Sequence, residues 1–240
     1  MNISEYKYKI DTHCHTKPVS PCGEILPEEL IKDYKETGAD AVVITNHFFR
    51  SILPPTKEEA VKYWLSDFYK TLDAGEKYGI KVLLGMEIRF PQNQNDYLVY
   101  GIDEEFVKKA YDYVATDLET FYKTLKDDKN VILQAHPFRN NMELADPSFL
   151  DGIEVFNMHP GHNSRVALAY RYAQKHEDFI ITAGTDFHHK NHQGMGFLLS
   201  KTLPSDSFSF AEILKSKDYL MLLGGCIVIP YSPEKKIWQY

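Results

Sequence analysis

The chain has 240 residues, the length of one α/β domain, and its 43% hydrophobic and 25% charged content is a globular balance that excludes disordered and fibrous classes. No apolar run approaches about 18 residues, which excludes a membrane-spanning helix. The formal net charge of −7 argues against wide binding of duplex phosphate backbones, but not against an anion held at a cation centre.

Short apolar runs then alternate with helical patterns along the chain. The polar opening, 1–9, lacks the apolar stretch of a secretory signal. The first run, 8–15, ends in Asp11-Thr12-His13-Cys14-His15. Alternate strand residues share a face, so Asp11, His13 and His15 are expected to point together and Cys14 away. A helix is expected over 27–36, with Pro27 at its first position and Gly38 at its stop. The run 40–47 ends in Thr45-Asn46-His47. A helix follows from Thr56, where Glu59 completes a capping box, to about residue 74. The run 80–90 carries Gly85-Met86-Glu87, and 96–102 follows it with no helix between. Next come a helix over 104–125, a run at 131–136 ending in His136, and a run at 152–159. A helix over 164–176, capped by Asn163, leads to the run 179–188, which ends in Gly184-Thr185-Asp186-Phe187-His188. A helix over 211–219 and a run at 226–230 close the pattern.

Alternating strands and helices imply parallel β-α units, and near-continuous Val, Ile and Leu imply strands buried on both faces. A barrel and an open doubly wound sheet both satisfy the pattern. No linker or repeat divides it, so 1–240 reads as a single domain. In either architecture the carboxyl ends of parallel strands gather on one side. His13, His15, His47, Glu87, His136, Asp186 and His188 would then converge. That is more donors than one four-coordinate ion uses, so two or three metals are implied.

These segments resemble the motifs of the PHP (polymerase and histidinol phosphatase) superfamily of metal-dependent phosphoesterases. D-T-H-C-H-T at 11–16 is similar to the first motif, I-T-N-H at 44–47 to the second, and G-M-E at 85–87 to the glutamate motif. A-H-P-F-R at 135–139 and G-T-D-F-H at 184–188 are similar to the later ones. The resemblance implies a distorted, TIM-like (β/α)7 barrel with a trinuclear site. It implies a first metal held by His13, His15, Glu87 and Asp186, and Glu87 bridging to a second bound by His136. His47 and His188 would hold a third. Three positions depart from the pattern. The second motif usually reads Asp-His, and Asn46 stands here. A third-site ligand usually follows the first motif, where this chain offers Cys22, either a thiolate ligand or a small loop residue. The second metal often has a further His after Glu87, and this chain has Tyr97 there, beside Asn95 and Asp96, so that site is expected to be weak or completed by water.

Imidazole and carboxylate donors suit Zn, Mn or Fe, so two or three such divalent ions are the expected cofactors. The expected activity is hydrolysis of a small phosphomonoester by a metal-activated hydroxide, with Glu87 and Asp186 as the catalytic carboxylates. Arg139 is expected to reach a phosphate from the rim and His159 to donate to substrate, while Glu154 reads as an acceptor behind a ligand histidine. His176, His189 and His192 read as surface residues. The alternatives are a phosphodiesterase or 3′–5′ exonuclease on the same site, a metal-dependent amidohydrolase, or a non-catalytic metal-bound regulatory domain. No strand-end lysine offers an amidohydrolase's carbamate bridge. The expected partner is a small phosphorylated substrate, with no duplex nucleic acid and no membrane. Three cysteines are too few for a disulfide scaffold and point to a reducing cytoplasm.

Overall fold

The computed structural model describes residues 2–231. β1 (Tyr8–Cys14) leads to α1 (Pro27–Glu36), which starts at Pro27 as expected. β2 (Ala41–Ile44) is followed by a two-residue β3 (His47–Phe48). α2 (Lys57–Tyr78) begins where the Thr56 hydroxyl accepts the Glu59 N–H. It outruns its expected end and stops at Gly79, whose φ of 73° suits a residue without a side chain. The run 80–90 divides into β4 (Lys81–Leu84) and β5 (Met86–Arg89). The break is Gly85, where a Cβ would fall 2.8 Å from Val43 and Thr45 side-chain atoms.

β6 (Asp96–Tyr100) precedes α3 (Glu104–Tyr113) and α4 (Leu118–Leu125). A single helix was expected over 104–125. It is broken because the Thr116 hydroxyl bonds back to the Tyr113 carbonyl, and Asp117 caps a new helix by accepting the Thr120 N–H at 2.8 Å. β7 (Val131–Gln134), β8 (Gly152–Asn157), α5 (Val166–Ala173) and β9 (Ile180–Gly184) follow. α5 begins after Arg165 rather than at Asn163, whose side chain closes a turn on the Arg165 N–H at 3.1 Å. β10 (Gly196–Ser200), α6 (Ser207–Ser216), β11 (Leu220–Leu223) and β12 (Cys226–Val228) complete the order. Neither β10 nor β11 was expected. Both run antiparallel to their neighbours, outside the β-α repeat that the sequence advertises.

Hydrogen bonding sorts the strands into two six-stranded sheets, ordered β12-β11-β10-β1-β2-β4 and β3-β5-β6-β7-β8-β9. The expected seven-stranded barrel is thus met in its mixed α/β alternation, but among the described residues no closed ring is formed. Antiparallel pairs at β1–β10, β5–β6 and β6–β7 break the uniform parallel order that a (β/α) barrel needs. The chain crosses from the first sheet to the second at 45–46, between β2 and β3, and again at Gly85, between β4 and β5. The two sheets meet where Cys14 pairs with Phe187, with His15 N–H donating to the Phe187 carbonyl at 3.0 Å and Phe187 N–H to that of His13 at 3.1 Å.

The core fills the space between sheets and helices. β2 and β8 are buried throughout, and Leu30, Trp64, Val107 and Phe210 anchor their helices inward. Burying one such aliphatic or aromatic side chain contributes about 1.5–3 kcal/mol. No helix among the described residues is long and apolar enough to cross a membrane.

Candidate metal centre

The centre starts at a bulge. Pairing of β1 with β2 shifts register between Asp11 and Cys14, so strict alternation fails there. Asp11 and Cys14, expected on opposite faces, both meet Tyr34. Its hydroxyl donates to Asp11 Oδ2 at 2.7 Å and lies 3.3 Å from Cys14 Sγ. Asp11 also accepts the Thr185 N–H at 3.0 Å, so it ties the end of β1 to the turn that carries Asp186. Burial pushes its pKa up to about 6, against the pull of Thr185 and Tyr34. His13 and His15 turn instead to Glu87.

Glu87, fully buried on β5, is the hub. Its Oε1 lies 3.3 Å from His13 Nε2 and 3.2 Å from His136 Nε2. Its Oε2 lies 3.3 Å from His15 Nε2 and 2.8 Å from His47 Nδ1. Asp186 Oδ1 stands 3.4 Å from both His13 Nε2 and His15 Nε2. His188 reaches the third side, with its Nε2 3.1 Å from Cys22 Sγ. Every residue expected as a ligand therefore converges on one cleft.

The opposite nitrogens of these rings are tied down. Glu154 Oε1 lies 2.9 Å from His13 Nδ1, the place for an imidazole N–H donor, which leaves Nε2 bare toward Glu87. Ser20 does the same for His15. Its hydroxyl donates to Asn46 Oδ1 at 3.0 Å and accepts the His47 N–H at 2.9 Å, so His15 Nδ1, 3.1 Å away, is the donor in that pair. Asn46, which departs from the family pattern, thus works behind the ligands by holding Ser20. His188 Nδ1–H donates to the Asp186 carbonyl at 2.8 Å.

Asp96 is a residue the sequence reading did not assign. It is buried and begins β6, which runs antiparallel to β5 and pairs Asp96 with Arg89. The start of one strand and the end of the other therefore share an edge. Asp96 Oδ2 is 3.9 Å from His136 Nε2, and Arg89 grips the carboxylate twice at 2.7 Å. Its signal was the short 90–95 connection, which is too brief for a parallel crossover.

Arg139, expected to reach a phosphate from the rim, is held by protein partners. It donates to Asp186 Oδ2 at 2.6 Å and to Asn157 Oδ1 at 2.8 Å, while its buried Nε–H has no partner. His159 accepts the Gly161 N–H at Nδ1, so its Nε2 carries the proton. Burial, with His162, His188 and Arg139 nearby, pushes its pKa down to about 3. His189 bonds Glu24 at the surface, and His176 lies remote from the cleft against Phe179. The cleft itself, ≈ 220 Å³, is lined by Cys22, Glu87, Arg89, Arg139, Met142 and His159 among others.

The profile of the PHP domain matches residues 11–201. The chain belongs to the PHP domain family. Solved structures share the fold. A candidate metal-dependent phosphoesterase from Bifidobacterium adolescentis aligns at TM-score 0.51 and 18% identity, over 85% of this chain and 95% of its own. A two-domain protein from Bacteroides vulgatus containing a candidate PHP-like metal-dependent phosphoesterase aligns at 0.64 and 17%, over 90% and 64%. PsfC from Pseudomonas syringae aligns at 0.60 and 16%, over 90% and 91%. No curated protein matches the chain.

The PHP residues fit metal ions on their own geometry. Three donor groups each lie within 4.8 Å: His13, His15 and Glu87; His47, Glu87 and Asp96; and His15, His47 and His188. His13 Nε2, His15 Nε2, His47 Nδ1 and Glu87 Oε2 are buried without a hydrogen-bond partner despite their closeness. Native proteins rarely leave such atoms unpaired. Lone pairs aimed at a common space are what ligands present to a cation.

The surrounding carboxylates make the cluster attractive to positive charge. Burial alone would lower His13, but Glu154, Asp186 and Glu87 outweigh it and hold its pKa well above the imidazole range. Burial would likewise raise Glu87, yet His47 and His13 hold it well below the carboxylate range. His15 is lowered by burial and by His188 and His47. For Cys22, burial is outweighed by His188 and His47, which bring the thiol down to about 6. His136 and Asp186 have φ values of 30° and 53°, a left-handed backbone that costs a non-glycine residue about 1–3 kcal/mol. Hydrogen bonds from the His136 N–H to Glu154 and from Arg139 to Asp186 hold both in place.

Glu154→Gln tests this support. The amide can no longer serve both His13 and the His136 N–H as an anion, and metal affinity is expected to fall about 10–100-fold. Chelator competition measures it, and an unchanged affinity removes Glu154 from its role.

Proposed function

We propose that the protein hydrolyses a small phosphomonoester with two or three divalent transition ions, Zn, Mn or Fe. His13, His15, Glu87 and Asp186 would hold the first. Glu87, His136 and Asp96 would hold the second, and His47, His188 and Cys22 the third. Asp96 takes the place that the sequence reading gave to water. The observation that carries this reading is the ring of buried, unpartnered nitrogens around Glu87. Such ions, when bound, supply Lewis acidity and lower the pKa of water toward neutrality.

The chain's own residues do the rest. Glu87 presents its two oxygens to different imidazole pairs, as a carboxylate shared between neighbouring cations requires. Asp186 keeps Arg139 beside the cleft, where its unpartnered Nε–H suits a phosphate oxygen. His159, neutral and protonated at Nε2, serves as a donor that stays uncharged across the physiological range. A cleft of ≈ 220 Å³ favours a small ester over a polymer strand, and the net charge of −7 agrees. The free thiol Cys22 beside His188 favours a reducing cytoplasm.

The test is a panel of phosphomonoesters and phosphodiesters run on protein loaded with Mn or Zn, alongside metal analysis of protein purified without chelator. At least two transition ions per chain and faster monoester turnover are expected. Preferential diester cleavage would move the reading to a phosphodiesterase, and no metal at all would end it.

A further inference from the structure

We infer that Asp67, a buried carboxylate of α2 outside the cleft lining, is a positioning residue for His15, acting through a one-way chain of hydrogen bonds over Ser20, Asn46 and Thr16. The inference rests on a cation being held at His15, as proposed above, and not on which ester is cleaved. Its first link is His15 Nδ1–H, which donates to the Ser20 hydroxyl at 3.1 Å. Ser20 passes its own proton to Asn46 Oδ1 at 3.0 Å. The Thr16 N–H, which can only donate, reaches the same Oδ1 at 2.8 Å, so the Asn46 amide has one orientation. Its Nδ2–H therefore donates to the Thr16 hydroxyl at 2.8 Å. With its acceptor side filled, that hydroxyl turns its proton to Asp67 Oδ2 at 3.4 Å. Every proton in the chain points away from the ligand histidine, and the chain ends on a group that only accepts. The result at its inner end is a bare His15 Nε2.

Asp67 also holds the backbone that carries these groups. The same Oδ2 accepts the Val19 N–H at 3.1 Å, and the Ser20 N–H closes the turn on the Thr16 carbonyl at 2.9 Å. Residues 63 and 67 of α2 share a helix face, and the Tyr63 hydroxyl grips the Pro18 carbonyl of this turn at 3.0 Å. The next residue, Trp64, donates to the His47 carbonyl at 2.9 Å. Tyr63 and Trp64 reach carbonyl oxygens alone, whereas Asp67 receives the last proton of the chain. Asp67 is wholly buried, and its one cation, Lys70 at 3.2 Å, is itself exposed. Burying a carboxylate is costly unless its oxygens are bonded. A side chain needed only to fill the space beneath α2 would be apolar. What Asp67 adds is a fixed acceptor, and with it a fixed tautomer at His15.

The experiment compares the full chain with its Asp67→Ala and Asp67→Asn variants. In metal-free, isotope-labelled protein, long-range proton–nitrogen spectra should show neutral His15 protonated at Nδ1 alone in wild type and in Asp67→Asn. In Asp67→Ala both tautomers should be populated. Chelator competition should show Zn held about 10-fold more weakly by Asp67→Ala, the lower end of the cost of a lost outer partner. Asp67→Asn should hold Zn as wild type does, because one oxygen takes both bonds and the Val19 N–H keeps that oxygen in place. Either a single tautomer or wild-type affinity in Asp67→Ala overturns the inference. Equal losses in the two variants also overturn it, since the charge and not the bonds would then be at work. Should Asp67→Ala not fold, Thr16→Val removes the hydroxyl between Asn46 and Asp67 and is held to the same outcomes. The spectra need no metal, so protein that takes up no Zn ends the metal reading while the tautomers still decide the role of Asp67. Zn uptake without ester turnover ends the hydrolase reading alone.

Discussion

Glu87→Gln is expected to cut phosphomonoester turnover by at least about 10³-fold, equal to about 4 kcal/mol of transition-state stabilisation. The reason is its place between two imidazole pairs. His13 and His136 approach Oε1, and His15 and His47 approach Oε2. An amide offers one oxygen and one NH₂ group, so half of the hub becomes a donor facing bare nitrogens. Cations that share the carboxylate would be weakened together. The strands are unaffected, because Glu87 makes its β5 pairings through the backbone. Turnover and metal content should therefore collapse while the secondary structure, read by circular dichroism, is kept. A variant that keeps wild-type turnover would remove Glu87 from the reaction.

Stripping the metals is expected to lower the melting temperature by roughly 8–16 °C. A ligand at about 1,000 times its dissociation constant stabilises by about 4 kcal/mol. Each kcal/mol shifts a domain of this size by about 2–4 °C. The gap should depend on pH with a fixed sign. His13 and His47 are held above the ordinary imidazole value of 6.5, where burial is outweighed by Glu154 for the first and Glu87 for the second. The stability they give the metal-free fold is complete below that value and is lost as pH rises through their raised values. A cation must displace those same protons, so its hold strengthens over that range. The difference between loaded and stripped protein should widen as pH rises above the ordinary imidazole value. Scanning fluorimetry with and without chelator measures it, and a gap that narrows with pH would contradict this account.

Much of the site was legible because strand ends and donor residues coincide. His13, His47, His136 and Asp186 lie at the end of β1 or within three residues beyond the ends of β2, β7 and β9, and that pattern brought them together. What escaped reading depended on direction rather than on residue type. Asp96 opens a strand instead of closing one, and only the antiparallel turn after β5 carries it to the same edge. The bulge after Asp11 undid a parity argument that assumed regular pleating. Arg139 was read as reaching a phosphate from the rim or forming a surface ion pair, but its partner Asp186 lies 47 residues away in sequence, and no local pattern links them. In the fold, the starts of α1 and α2 were placed well, whereas β10 and β11 were missed because antiparallel additions carry no β-α signature.

The seam between the two sheets gives the cluster a further meaning. His13 and His15 belong to the end of one sheet's strand, while Glu87 and Asp96 belong to strands of the other. Ions at this junction would act as a clasp that neither half can fasten alone. Cation capture should then be a late event during folding, and a chain that has caught its ions has already been proof-read for the docking of both halves.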